Sequence, residues 1–301
     1  MNHGFLKAFA IMALAGAAAL NTGAAFAGDK KGEASDTVRT VTVTLDGKAA
    51  GGRVDPADFA VFKGDTKQEI VGVQGPSEAP VNVAVLIQDG LDQGVGHELD
   101  TIKEFVSGLP AGSHVMVGYL RNTGLHTVQP FTTDLAAAAK SVRLPFTTID
   151  EGSAPFIGLN EALDEFDGLT GRNQVVVITN GLELNRDLSS ASPANNIDLD
   201  RAIAKAQRIG APVWGIFANA PGRFGRSTIA IAYGQGSLNR LSDETGGEAF
   251  FAGTSFVTFD HAFERIQAGL GNQYLIAYRG AGKGDLDVTV ETPGVKVRHA
   301  K

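Results

Sequence analysis

The chain has no cysteine among its 301 residues. That single absence excludes a thiol nucleophile, a disulfide framework, a zinc–thiolate site and lipid attachment through an N-terminal Cys. Basic clusters are also missing, so nucleic acid is not an expected partner. The six histidines show no metal-type spacing; His114, His126 and His261 stand apart, and His97 falls off the apolar stripe of its predicted helix. Ser113-His114 has no Gly-x-Ser-x-Gly context, which leaves a hydrolase elbow unsupported. Gly94-Val95-Gly96 lacks the third glycine of a dinucleotide loop. Gly280-Ala281-Gly282-Lys283 lacks the earlier glycine of a phosphate loop and reads as a hairpin turn. No internal repeat of solenoid period is present.

What is there begins with an export pattern. Lys7 is the only charged side chain in residues 1–27; the apolar stretch Ala8 to Leu20 follows, and Ala25-Phe26-Ala27 is a small-x-small cleavage site. The stretch is short for a membrane span and Asn21-Thr22-Gly23 interrupts it. The expectation is a cleaved signal, a product in the periplasm or outside the cell, and no stable membrane insertion afterwards. The formal net charge of −7 becomes −8 once Lys7 leaves with the signal. That balance favours solubility and says little about a partner. Without disulfides, an exported chain must be held by its core, and the remaining length suffices for one α/β domain with a small appendage.

Residues 28–36 (GDKKGEASD) carry no large apolar side chain and read as a linker. Thr37 to Leu45 alternates β-branched and polar residues, as a half-buried strand does. Further strands are expected at Asp58–Phe62 and Gln68–Val73, around the Lys63-Gly64-Asp65 turn. Together 37–75 make a small β module. From Val81 the pattern changes to strands alternating with helices, which predicts a doubly wound, mostly parallel sheet flanked by helices over 81–280. Val81–Ile87 is a nearly continuous apolar run of the kind covered on both faces, and Gln174–Thr179 is a second strand of apolar character. Helix faces are expected from Val95 to Leu109, Leu135 to Val142, near Leu159, from Leu199 to Ile209, a short one at Leu238 and Leu241, and from Phe259 to Leu270. Closing strands are predicted at Gln273–Arg279 and Leu286–Val290, with Val295–Arg298 a third, so that 284–301 form a C-terminal β segment. Trp214 and Phe217 are expected in the core; Phe250, Phe251 and Phe256 read as core or partner-facing, with core favoured.

Both apolar runs end in loops that carry chemistry. In an open parallel sheet, ligands bind at the carboxyl ends of the strands. After the first run stand Gln88-Asp89-Gly90-Leu91-Asp92; after the second stand Asn180, Gly181 and Glu183. These loops resemble the von Willebrand factor A domain. In that family the first strand ends in Asp-x-Ser-x-Ser, a later strand ends in a Thr-Asp-Gly-like turn, and a loop Thr completes a metal-ion-dependent adhesion site. The chain is further similar to a secreted bacterial subfamily through Asp58-Phe59-Ala60-Val61-Phe62-Lys63-Gly64, Gly118-Tyr119-Leu120-Arg121-Asn122, Thr245-Gly246-Gly247 and Asn272-Gln273-Tyr274-Leu275-Ile276-Ala277-Tyr278. These strings span most of the chain beyond the signal.

Set against the family pattern, the metal site is degenerate. Gln88 stands at the first Asp, Gly90 at the first Ser, Asp92 at the second Ser and Asn180 at the later Asp. Ser153 and Ile157 to Gly158 are the nearest counterparts of the loop Thr. Shifting the register by one puts Asp89 first but leaves Leu91 and Gln93 where hydroxyls are needed. Mg²⁺ is held through oxygen in near-octahedral geometry, usually with a carboxylate, and Gln, Gly and Asn remove that charge.

The expectation is a non-catalytic protein-binding module outside the cytoplasm, of adhesion or scaffold type. It uses the loops after Ile87, Phe146 and Thr179, with Gln88, Asp89, Gly90, Asp92, Ser153, Asn180 and Glu183 as its rim and no cofactor. One alternative is a weak Ca²⁺ or Mg²⁺ site rearranged around Asp89 and Asp92, with Glu151, Glu183 and Asp187 nearby. Others are a hydrolase, for which no nucleophile and base can be paired, and a structural part of an envelope assembly.

Overall fold

A computed structural model describes residues 38–47, 54–121, 124–146, 154–184, 188–221, 224–251, 258–280 and 284–301. The expected signal (1–27) and linker (28–36), and the residues Asn122, Glu151, Ser153, Asp187 and Phe256, lie outside the described residues.

The alternating run at the start becomes β1 (Val38–Asp46), which buries Val41, Val43 and Leu45. It is followed by β2 (Phe59–Lys63), β3 (Thr66–Lys67) and β4 (Glu69–Gln74). The switch from period two to a continuous apolar run marks β5 (Val81–Gln88), in which every residue is buried. Then come α1 (Leu99–Ser107), β6 (His114–Arg121), β7 (Gly124–Thr132), α2 (Leu135–Ser141), α3 (Pro155–Asp164) and β8 (Arg172–Thr179). The second half contains α4 (Ile197–Arg208), β9 (Val213–Phe217), α5 (Thr228–Thr245), β10 (Ala249–Phe251), α6 (Asp260–Gly271), β11 (Gln273–Arg279), β12 (Leu286–Val290) and β13 (Lys296–Arg298).

Six of these strands form the central sheet in the order β10-β9-β8-β5-β6-β7. All neighbours run parallel except β7, which pairs antiparallel with β6 at one edge. The doubly wound α/β expectation therefore holds. Alternate residues of β5 serve opposite faces, as strand geometry requires. Val83, Val85 and Ile87 join the core that holds Ile102 and Phe105 of α1 and Phe263 and Ile266 of α6. Ala84 and Leu86 join the other core, with Leu159 of α3, Leu199 and Ile203 of α4, and Leu238 and Leu241 of α5. At about 1.5–3 kcal/mol for each fully buried large aliphatic side chain, β5 is stabilised from both sides. Among the described residues no helix is long and apolar enough to cross a membrane.

The smaller strands make a second assembly at the opposite end of the sheet from the loops discussed below. β13-β1-β11-β4 form one sheet and β12-β2-β3 another, and the two share a core of Val41, Val43, Phe59, Val61, Ile276 and Val288. β11, placed by the sequence reading at the end of the 81–280 domain, is the strand with which both β1 and β4 pair. Arg172, at the start of β8, ties the two assemblies. Its guanidinium donates to Leu270 O at 2.7 Å and to Pro76 O at 2.6 Å. Burial lowers its pKa to about 10.

Two expectations are corrected. The short helix at Leu238 and Leu241 is an 18-residue helix beginning at Thr228. Gly234 and Gly236 depress helix propensity in its first half and masked it in the sequence. Phe251 is not core but exposed, because it ends an edge strand; Phe250 packs partly against the core, and Trp214 and Phe217 are buried.

Candidate binding rim at the sheet switch point

The strand order reverses between β5 and β8, so their carboxyl ends open the crevice where doubly wound folds bind ligands. Gln88 closes β5 and Thr179 closes β8. The Gln88 amide oxygen accepts the Thr179 hydroxyl and, at 3.1 Å, the Asn180 backbone N–H. Thr179 Oγ1 accepts the Gly181 N–H at 2.9 Å, and Asn180 Oδ1 accepts the Leu182 N–H at 2.9 Å. Gly181 adopts φ +62°, a conformation that favours glycine. Gln88, Thr179 and Asn180 are all buried. The residues expected side by side on the rim are therefore bonded to one another, by hydrogen bonds within the fold.

Asp89 turns the other way. One of its oxygens accepts Arg121 Nε at 2.6 Å and the other accepts the Phe146 N–H at 2.7 Å, with Arg143 Nη1 at 3.6 Å. Gly90 takes φ +83° and donates its N–H to Phe146 O at 2.8 Å. Asp92 is exposed, and its Oδ1 accepts the Gly94 N–H at 2.9 Å, capping a turn of 3-10 helix over Gln93–Glu98. Glu183 is buried, and its Oε2 accepts the Phe156 N–H at 3.1 Å in the first turn of α3, where a carboxylate is favoured. The structure thus brings Gln88 and Asn180 together and sets Asp89, Asp92 and Glu183 to three separate tasks.

A divalent cation of the type the resemblance implies does not fit these residues. An amide oxygen has two lone pairs, and both of those on Gln88 take protons from Thr179 and Asn180. Gly90 offers no side-chain oxygen, and a Ser there would meet strain at positive φ. The oxygens of Asp89 already face two guanidiniums. Among the described residues no three His, Asp or Glu side chains converge to hold an ion.

The sequence reading missed Arg121 and Arg143 as rim residues. Arg121 lies 32 residues from Asp89, on the next strand, and no local spacing announces such a pair. Tyr119 completes this corner: its hydroxyl donates to Arg143 O at 2.6 Å and accepts the Arg143 N–H at 2.8 Å. Burial raises the pKa of its phenol, against the pull of the Arg143 backbone and guanidinium.

No protein-family model matches the sequence, and no curated protein matches it. Among solved structures, the chain is similar to an aerotolerance-related membrane protein from Bacteroides fragilis carrying multiple mutations to serines. The identity there is 18%, over 63% of this chain and 98% of that one, with a TM-score of 0.43. It is similar to the conserved hypothetical protein BatB from Bacteroides thetaiotaomicron at 18% identity, over 63% of this chain and 97% of that one, with a TM-score of 0.45. It is also similar to the SpRpn10 VWA domain at 8% identity, over 64% of this chain and 98% of that one, with a TM-score of 0.41. Likenesses this low carry no information on function. The six-stranded, mostly parallel sheet with helices on both faces is the architecture that the von Willebrand factor A resemblance implies.

Proposed function

We propose that this chain is an exported, non-catalytic protein-binding module that engages its partner with the rim at the carboxyl ends of β5 and β8, and that it does so without a tight divalent cation. The observation that carries the reading is the bond set of Gln88, whose amide oxygen is filled by Thr179 and Asn180 where an adhesion site of the resembled kind would present charge. A pre-formed rim on a rigid sheet suits recognition, because binding then needs little ordering of the chain. The signal pattern of residues 1–27 supports export, to the periplasm or beyond. The non-catalytic reading is supported by the engagement of the rim's described acids as caps and ion pairs, with no nucleophile positioned beside a base among the described residues.

Crosslinking in the native envelope followed by capture through this chain, then quantitative binding of the recovered partner with EDTA or with excess Mg²⁺ and Ca²⁺, tests the reading. Equal affinity in both buffers is expected. Binding abolished by EDTA and restored by either ion would overturn it.

A further inference from the structure

Beside the crevice, the chain between α2 and residue 146 lays two apolar side chains open to solvent. Leu144 is 50% exposed and Phe146 52%. Phe146 is firmly held. The Phe146 N–H is bound to Asp89 and its carbonyl to Gly90. The Phe146 ring lies 4.6 Å from the Arg121 guanidinium carbon and 4.1 Å from that of Arg143, and Arg143 in turn lies 3.7 Å from the Tyr119 ring. The result is a continuous stack of ring and guanidinium, open at the Phe146 and Arg121 end.

Arg121 is the member with unused capacity. Asp89 holds its Nε and Phe146 lies against its face, while among the described residues its two terminal nitrogens are left without a hydrogen bond and its side chain is 34% exposed. A guanidinium fixed in this way presents a planar two-donor edge, which matches a carboxylate in bidentate fashion. The ordering cost of a long side chain has already been met by Asp89 and Phe146, so it is not charged to binding. Arg121 and Arg143 against Asp89 leave an excess of one positive charge at this corner of a chain whose net charge is −7. The chain's overall field repels a polyanion, whereas a single acid on a peptide meets the local excess. An exposed aromatic and an arginine within one patch are also side chains enriched at protein interfaces.

We infer that this patch receives an acidic–apolar peptide segment of the partner: an Asp or Glu carboxylate on the Arg121 edge, and a neighbouring aliphatic or aromatic side chain against Phe146 and Leu144. The inference rests on the reading of the rim as the binding face and names the chemistry of what binds there.

The test is selection of random displayed peptides on the full chain, followed by affinity measurement of the enriched peptides on Arg121→Gln, Arg121→Lys and Phe146→Ser variants. Binding is mapped by amide shift changes on the unsubstituted chain. Expected are peptides that pair an acid with an apolar residue, shift changes at residues 88–94 and 144–146, and a loss of about tenfold or more with Arg121→Gln. Arg121→Lys should recover only part of that loss, because it restores the charge without the fork. Phe146→Ser, an exposed position, should fold normally and weaken the same peptides. Peptides that map to the rim yet lack acids, or bind Arg121→Gln unchanged, would overturn this inference and leave the rim reading standing. Peptides that map elsewhere would overturn both.

Discussion

The carbonyl oxygen of Asn180 stands 1.9 Å from the place where a Cβ on Gly234 would sit. Helix α5 thus meets the turn after β8 backbone to backbone, and it buttresses the rim only because residue 234 has no side chain. The reciprocal approach is also closer than any real Cβ contact: a Cβ on Gly181 would come within 2.3 Å of Gly234 O. Alanine is the better helix former by about 1 kcal/mol, yet Gly234→Ala should destabilise the fold by roughly 2–3 kcal/mol through overpacking. Gly271→Ala, where a Cβ meets nothing within 4 Å, should change stability by less than about 0.5 kcal/mol. Urea denaturation of both variants makes the comparison.

Gln88 holds the two central strands together at the crevice. Gln88→Leu keeps comparable bulk but leaves the Thr179 hydroxyl and the Asn180 N–H without their acceptor. A loss of about 2 kcal/mol is expected, the cost of burying unsatisfied donors. Amide hydrogen exchange should show faster exchange at Asn180 and Gly181, with β5 itself protected.

At the far end of β8, Arg172 is a buried cation whose hydrogen-bond partners among the described residues are backbone carbonyls rather than a carboxylate. Arg172→Met removes the charge but strands Leu270 O and Pro76 O. A destabilisation of roughly 3 kcal/mol is expected, since each such bond to a charged donor contributes about 1.5–3 kcal/mol. Thermal melts should show it, and α6 and residues 75–80 should lose exchange protection first.

Alkaline pH gives a separate check. Burial raises the phenol pKa of Tyr119 and of Tyr278. The neutral phenol is the form the fold favours, so this contribution to stability is full below the ordinary value of about 10 and is lost as pH rises through the raised folded values. Absorbance titration should show the Tyr119 and Tyr278 phenols ionising late, together with unfolding. Tyr119→Phe should remove one of the late phenols.

Much of the architecture was legible because hydrophobic period reports burial directly. The nearly continuous apolar run at Val81–Ile87 reads as a strand covered on both faces, and the Leu199-to-Ile209 stripe as one face of a helix. Residues 88 and 180 were legible as neighbours because each closes such a run. The rest depended on contacts that no local pattern encodes. The first half of α5 was hidden because Gly234 and Gly236, which read as helix breakers, are there for close approach to Asn180 and Pro193. Arg121 was invisible as a partner of Asp89 because the register between parallel strands, not spacing along the chain, brings them together, and Arg143 because it reaches that corner from the chain after α2, where the Tyr119 hydroxyl holds its backbone. Asp89 and Asp92 looked alike as loop acids; only their neighbours separate an ion-paired residue from a cap.

Titration calorimetry of the full chain with Ca²⁺, Mg²⁺ and Mn²⁺ addresses the rim most directly. With the Gln88 oxygen occupied by Thr179 and Asn180, and Asp89 facing Arg121 and Arg143, no heat beyond dilution and no change in melting temperature are expected at millimolar ion. A saturable heat near one ion per chain, lost in Asp89→Asn or Asp92→Asn, would contradict the cation-free rim.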